Sequence, residues 1–143
     1  MLDRQPAQQP ERVNVRPLRG VPRAKLVEAV DLIRRAKRPV FYGGGGLVNA
    51  GPAACEAFTQ LVRRTGAPCT LTLMGLGAFP ASDKQFLGML GMHGTLEANL
   101  AMHHADLVVC IGARFDDRVT AKLADFCPEA KKIHVDVDAC SIN

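Results

Sequence analysis

Apolar positions along the chain recur with two periods. From Arg23 to Ala36, Leu26, Ala29, Val30 and Ile33 fall at 3.6-residue spacing, which predicts an amphipathic helix opened by Pro22. Pro39–Tyr42 is a short apolar run closed by four glycines, Gly43–Gly46, and reads as a buried strand. A second helical period, from about Pro52 to Thr65, sets Ala54, Phe58, Leu61 and Val62 on one face and stops at Gly66. Cys69–Thr72 predicts the next strand, and a glycine-rich stretch, Met74–Pro80, follows it. Thr95 is placed to cap a helix that runs to about His104. Leu107–Ile111 is the clearest buried strand and ends at Gly112. A loop, Arg114–Arg118, leads to a short helical piece near 120–126, and Ile133–Asp138 is the last strand.

A helix followed by four strands alternating with helices predicts an α/β fold, a doubly wound parallel sheet with helices on both faces. In such sheets ligands bind outside the carboxyl ends of the strands. Glycines and polar residues gather there: Gly43–Gly46, Met74–Gly77, Gly112–Arg118 and Asp136–Asp138. Pro6, Pro10, Pro17 and Pro22 exclude a long helix at the start, so residues 1–22 read as an extended leader or interdomain linker and 23–143 as the domain.

Composition narrows the classes. The 143 residues are 48% hydrophobic and 22% charged, which suits one globular domain and excludes disorder of the whole chain. The longest apolar run, Leu107–Ile111, is far short of a membrane span, and no signal peptide opens the chain. The net charge of +4 is uneven: residues 1–38 carry +6 and the remainder −2. With aromatics at 5% and no basic face on the body, nucleic acid is not an expected partner. Five cysteines, none in a CxxC pair, suggest neither zinc nor a disulfide framework and fit a reducing, cytoplasmic compartment.

The candidate chemistry is that of binding. Four glycines between a strand and a helix let a backbone approach a phosphate or ring closely, although they also describe a flexible turn. They form neither a dinucleotide fingerprint nor a phosphate loop with its lysine. Asp136 and Asp138 end the last predicted strand on one face, where a carboxylate accepts ribose hydroxyls or caps the next turn. Arg114–Arg118 holds two cations and two carboxylates, either a self-neutralising surface turn or a diphosphate or flavin contact. His93, in the apolar loop Met89–Gly94, stands at no metal spacing from a second ligand and reads more simply as a packed or capping residue. His103 and His104 suit the negative end of a helix. No nucleophile elbow and no paired acid and base are present, so no catalytic residue is expected.

Thr72–Pro80, Met89–Gly94, Gly112–Thr120 and His134–Asp138, in that order, closely resemble the large catalytic subunit of the acetohydroxyacid synthase (acetolactate synthase) family. The likeness runs from about residue 19 to 143 and falls on the middle, FAD-binding domain of that thiamine-diphosphate enzyme. It implies a Rossmann-like domain in an enzyme that condenses pyruvate with a second 2-ketoacid, releasing CO2, for branched-chain amino-acid synthesis. The flavin there is structural. By motif, its contacts would be Gly45, Thr72, Leu73, Leu90, Gly91, Met92, His93, Gly112, Ala113, Arg114, Phe115, Asp116, Asp136 and Val137, and a herbicide channel would involve Met92, Asp117 and Arg118. Thiamine diphosphate and Mg2+ would be held by N- and C-terminal domains of the same enzyme, through a glutamate and a GDG…N motif that these residues lack. Further partners implied are other catalytic subunits in a homo-oligomer and a small regulatory subunit. The family's middle domain continues past Asn143, so the sheet is expected to be truncated at its C-terminus. The chain by itself is then expected to be inactive, weak in flavin binding and prone to self-association. The alternatives are the central domain of another thiamine-diphosphate enzyme, such as a glyoxylate carboligase or pyruvate oxidase, and a free-standing nucleotide-binding module.

Overall fold

The computed structural model describes residues 20–120, 126–138 and 141–142, with Asp117 and Arg118 described by backbone alone. Helix α1 spans Arg23–Arg35 and strand β1 Pro39–Gly43; α2, Gly45–Ala50, and α3, Pro52–Thr65, lead to β2, Cys69–Leu71. Then come β3, Phe86–Met89, α4, Leu96–His103, β4, Leu107–Ile111, α5, Asp117–Thr120, and β5, Lys131–Val135. All pairings are parallel and the strand order is β3-β2-β1-β4-β5. This is the doubly wound, Rossmann-like α/β architecture that the alternation of periods predicts.

Strand alternation builds two cores from one sheet. In β1 and β4, Phe41, Leu107 and Val109 face a layer made with Phe58 and Val62 of α3. The residues between them, Val40, Tyr42, Val108 and Cys110, face a second layer with Met102 of α4. Neighbouring side chains on a strand point to opposite faces, so two near-continuous apolar runs cover both. Cys69 and Cys110 are fully buried in these layers, as small core residues.

Four expectations change. The sheet has five strands, not four: β3 lies in a stretch read as loop, and its Gly88, at φ +91°, breaks the period that marks a strand. The glycine run is not a bare turn, because Gly45 and Gly46 open the short helix α2. The last strand ends at Val135 rather than Asp138, so the carboxylates of Asp136 and Asp138 do not share a strand face. Helix α1 has the predicted bounds, but Leu26, Val27 and Val30 stay about half exposed and the helix packs through Leu32, Ile33 and Ala36. Of the helical piece expected near 120–126, residues 121–125 lie outside the described residues, as do 1–19 of the leader.

Phe41→Ala is expected to lower the stability of the chain in urea by about 3–5 kcal/mol, because the ring leaves a cavity between two strands and α3. Leu26→Ala, on the exposed stripe of α1, should change it by less than about 0.5 kcal/mol.

Candidate functional site

The hydrogen-bond ladder runs one residue beyond the strands and fixes the start of each loop at the carboxyl edge. Gly44 N donates to Ile111 O at 3.0 Å, Thr72 N to Gly43 O at 2.9 Å, Leu90 N to Leu71 O at 3.1 Å and Gly112 N to Val135 O at 2.8 Å. Five loops therefore leave the sheet side by side. All fourteen residues singled out from the sequence lie on this edge, on four of the loops and at the start of α2.

Backbone contact explains most of the glycines. A Cβ on Gly44 would stand 2.6 Å from Ala113 Cα and closer still to Gly112 O, and one on Gly46 would stand 2.8 Å from Gly112 Cα. Gly112 itself is left-handed at φ +61° and donates no space for a side chain. Gly75 lies as tightly against Gly43 O, and Thr72 Oγ1 accepts from Gly75 N at 2.9 Å to hold the 3-10 turn Leu73–Gly75 in place. Gly44 and Gly46 thus serve the packing of loops on one another, whereas a Cβ on Gly43 would meet the core side chains of Leu71, Leu47 and Phe58. Gly45 is the least crowded of the four, with its Cβ position 3.1 Å from Met74 Cβ and 3.3 Å from Met74 O.

The other loops are braced by residues that the sequence did not single out. Asn99 of α4 holds Gly91 by both polar groups: its Oδ1 accepts from Gly91 N at 3.3 Å and its Nδ2 donates to Gly91 O at 3.1 Å. His134 Nε2 donates to Ala113 O at 2.8 Å, since a carbonyl only accepts, and stands 4.0 Å from Asp136 Oδ2. The Phe115 ring packs between Tyr42, His134 and Phe126. Tyr42 is fully buried and its hydroxyl has no partner among the described residues. Burial, with Cys110 and Asp116 nearby, pushes its ionisation well above the ordinary phenol range. Asp136 Oδ1 accepts from Asp138 N at 2.9 Å, which is the capping role left open by the sequence.

Chemically the edge is an apolar rim with few charges. Leu73, Met74, Met92 and Val137 are 68–76% exposed, the condition of side chains awaiting a flat apolar partner. Arg114 is exposed and forms no ion pair among the described residues. His93 is exposed rather than packed, and among the described residues no cluster of His, Cys, Asp or Glu could hold a metal ion. The side chains of Asp117 and Arg118, assigned by resemblance to a herbicide channel with Met92, lie outside the described set. No helix among the described residues is long and apolar enough to cross a membrane.

The pattern of the thiamine pyrophosphate enzyme central domain matches residues 26–143. The acetolactate synthase large subunit of Haemophilus influenzae is 48% identical over 141 residues, 96% of this chain and 24% of that protein. The acetolactate synthase isozyme 3 large subunit of Escherichia coli is 44% identical over 137 residues, again 24% of its length. Acetolactate synthase 3, chloroplastic, of Brassica napus is 48% identical over 119 residues, 83% of this chain and 18% of that protein. The chain spans about a quarter of the length of the bacterial relatives.

Gly44→Ala is expected to cost at least about 1–3 kcal/mol in chemical denaturation, because the new methyl meets backbone that no rotamer change relieves. Gly45→Ala should cost markedly less, since its tightest contact, Met74 Cβ at 3.1 Å, asks for only a slight local shift.

Proposed function

The chain belongs to the thiamine pyrophosphate enzyme family, as its central domain, and we propose that it is the flavin-binding middle domain of an acetohydroxyacid synthase large subunit. The observation that carries this reading is 44–48% identity over nearly the whole chain to large subunits named acetolactate synthase. Similarity at that level, over nearly the whole chain, argues for the same enzyme rather than another thiamine-diphosphate family member. In the intact protein the reaction is the decarboxylating condensation of pyruvate with a second 2-ketoacid, in the cytoplasm, on the way to branched-chain amino acids. Residues 1–22 then serve as the link to a preceding domain.

The residues of the carboxyl edge fit FAD. The exposed Leu73, Met74, Met92 and Val137 offer apolar surface to a ring system, and the loop glycines let backbone amides approach it. Arg114, exposed and without an ion pair among the described residues, would meet the diphosphate. Asp136 has committed Oδ1 to its own turn, which leaves Oδ2 for ribose hydroxyls. Gly45, Thr72, Leu90, Gly91, His93, Gly112, Ala113, Phe115 and Asp116 complete the proposed contacts, with Leu90 and Ala113 buried beneath. FAD would bind here for structure, and thiamine diphosphate with Mg2+, held by other domains, would supply the carbanion stabilisation that decarboxylation needs. This chain's own residues position loops; none of them moves a proton. Its partners are the other domains of the enzyme, further catalytic subunits and a regulatory small subunit.

Two outcomes test the reading. The 143 residues expressed alone should form no acetolactate from pyruvate with thiamine diphosphate, Mg2+ and FAD, as scored by colour development, while the full-length enzyme does. In that enzyme, Arg114→Ala should weaken FAD binding by about tenfold or more, the loss of one charged hydrogen bond of about 1.5–3 kcal/mol. Lys84→Ala, exposed in the β2–β3 connection, should leave the flavin dissociation constant unchanged.

A further inference from the structure

We propose that the opposite end of the sheet holds a second site, for a small phosphate ester with an apolar body. The observation is a cavity of about 700 Å³ at the amino end of β1, walled by three separate stretches of chain. Its volume lies within the range of small-molecule sites, about 300–1,000 Å³. Arg34 from the end of α1, Lys37 and Arg38 from the link to β1, Arg64 from the end of α3 and His104 from the end of α4 line it. No carboxylate lines it, and none of Arg34, Lys37, Arg38 or Arg64 is in an ion pair among the described residues. The floor is apolar, formed by Ile33, Ala36, Val40, Ala67 and Pro68.

The simplest alternative is that these cations answer the helix dipoles. Helices α1, α3 and α4 all end here, and basic residues favour the last turn of a helix. The charges do not cancel. Three helix ends carry about −0.5 each, and Asp106, behind the link, carries −1, against four permanent cations, leaving about +1.5. Asp106 is already engaged, accepting from Lys37 N at 2.7 Å and Arg38 N at 2.9 Å, so it orders the basic link rather than neutralising the cavity. Three guanidinium groups at one opening suit a phosphate, which they bind through paired N–H donors, and a dianion matches the residual charge. An apolar floor beneath that charge selects an ester over the bare ion. The site stands at the end of the sheet remote from the flavin loops and does not depend on the flavin reading.

Amide-resolved NMR of the 15N-labelled chain, titrated with inorganic phosphate and with phenyl phosphate at low salt, tests this. Phenyl phosphate is expected to move the Gly66, Ala67 and Lys37 amides saturably and to bind about fivefold tighter than inorganic phosphate, from burial of the ring. Gly112 and Asp136, at the flavin edge, should not move. The pair Arg34→Gln and Arg64→Gln, both exposed and remote from the core, should weaken phenyl phosphate by about tenfold with the rest of the spectrum unchanged. No saturable shift, equal binding by the double variant, or shifts at the loop edge instead would overturn the site. Equal affinity for the two probes would overturn the apolar body. Failure of FAD to bind the full-length enzyme would bear on the flavin reading alone.

Discussion

Everything at the carboxyl edge depends on how closely the backbone after β1 approaches the backbone after β4. Gly44 lies against Gly112 and Ala113, Gly46 lies against Gly112, and Gly46 N donates to Gly112 O at 2.9 Å. A side chain at either glycine would push the two loops apart, and with them the start of α2 and the turn into residues 113–116. The 3-10 turn Leu73–Gly75 depends on the same contact from the other side, since Gly75 rests on Gly43 and Gly44. β1 and β4 are neighbours at the centre of the sheet, where the chain order reverses. The crevice typical of doubly wound folds opens there, and here it is narrowed to backbone contact.

The fold was largely legible because the layers read as patterns. Leu107–Ile111 and Val40–Tyr42 are apolar without alternation, which is what a strand covered on both faces requires. What escaped the sequence was short or interrupted. β3 pairs with β2 through a register shift between Cys69 and Leu71, and a left-handed Gly88 breaks its period. α2 is only Gly45–Ala50, and two of its six residues are glycines that helix propensity disfavours. It exists because Gly44 and Gly112 place it there. Val135–Asp138 alternates as a strand should, yet pairing stops at Val135 and Asp136 turns to cap Asp138 N. Alternation sets which face a residue takes only while a neighbouring strand continues.

The candidate residues were found by location, their roles less so. Glycines and carboxylates after strands gather at one edge because the parallel topology sends every such loop there. The same reading missed Asn99 and His134. Each acts through a partner elsewhere in the chain, Gly91 eight residues before Asn99 and Ala113 twenty-one residues before His134, which no local spacing reveals. The glycine run reads from sequence as a ligand contact or a flexible turn, yet two of its four members, Gly44 and Gly46, answer first to protein backbone. Close packing and close ligand approach ask for the same residue, and composition alone does not separate them.

The two ends of the sheet recognise charge by different means, and parallel topology is the reason. At the carboxyl edge, loops braced by one another present amides, apolar side chains and, among the described side chains, the cation Arg114. That arrangement would hold a flat, extended molecule by shape, with backbone close enough to matter because glycine permits it. At the amino end, α1, α3 and α4 bring their carbonyl termini, and an anion would be repelled unless side chains overturned the dipoles. Arg34, Lys37, Arg38 and Arg64 do so with long side chains that reach past the helix ends. Binding at the first end, as proposed, would be set chiefly by the fold. At the second it is set by side chains in solvent, where screening over about 10 Å at 0.1 M salt weakens it. A substitution that leaves the fold intact can remove the second kind of site entirely, whereas the first is lost only by moving the loops themselves.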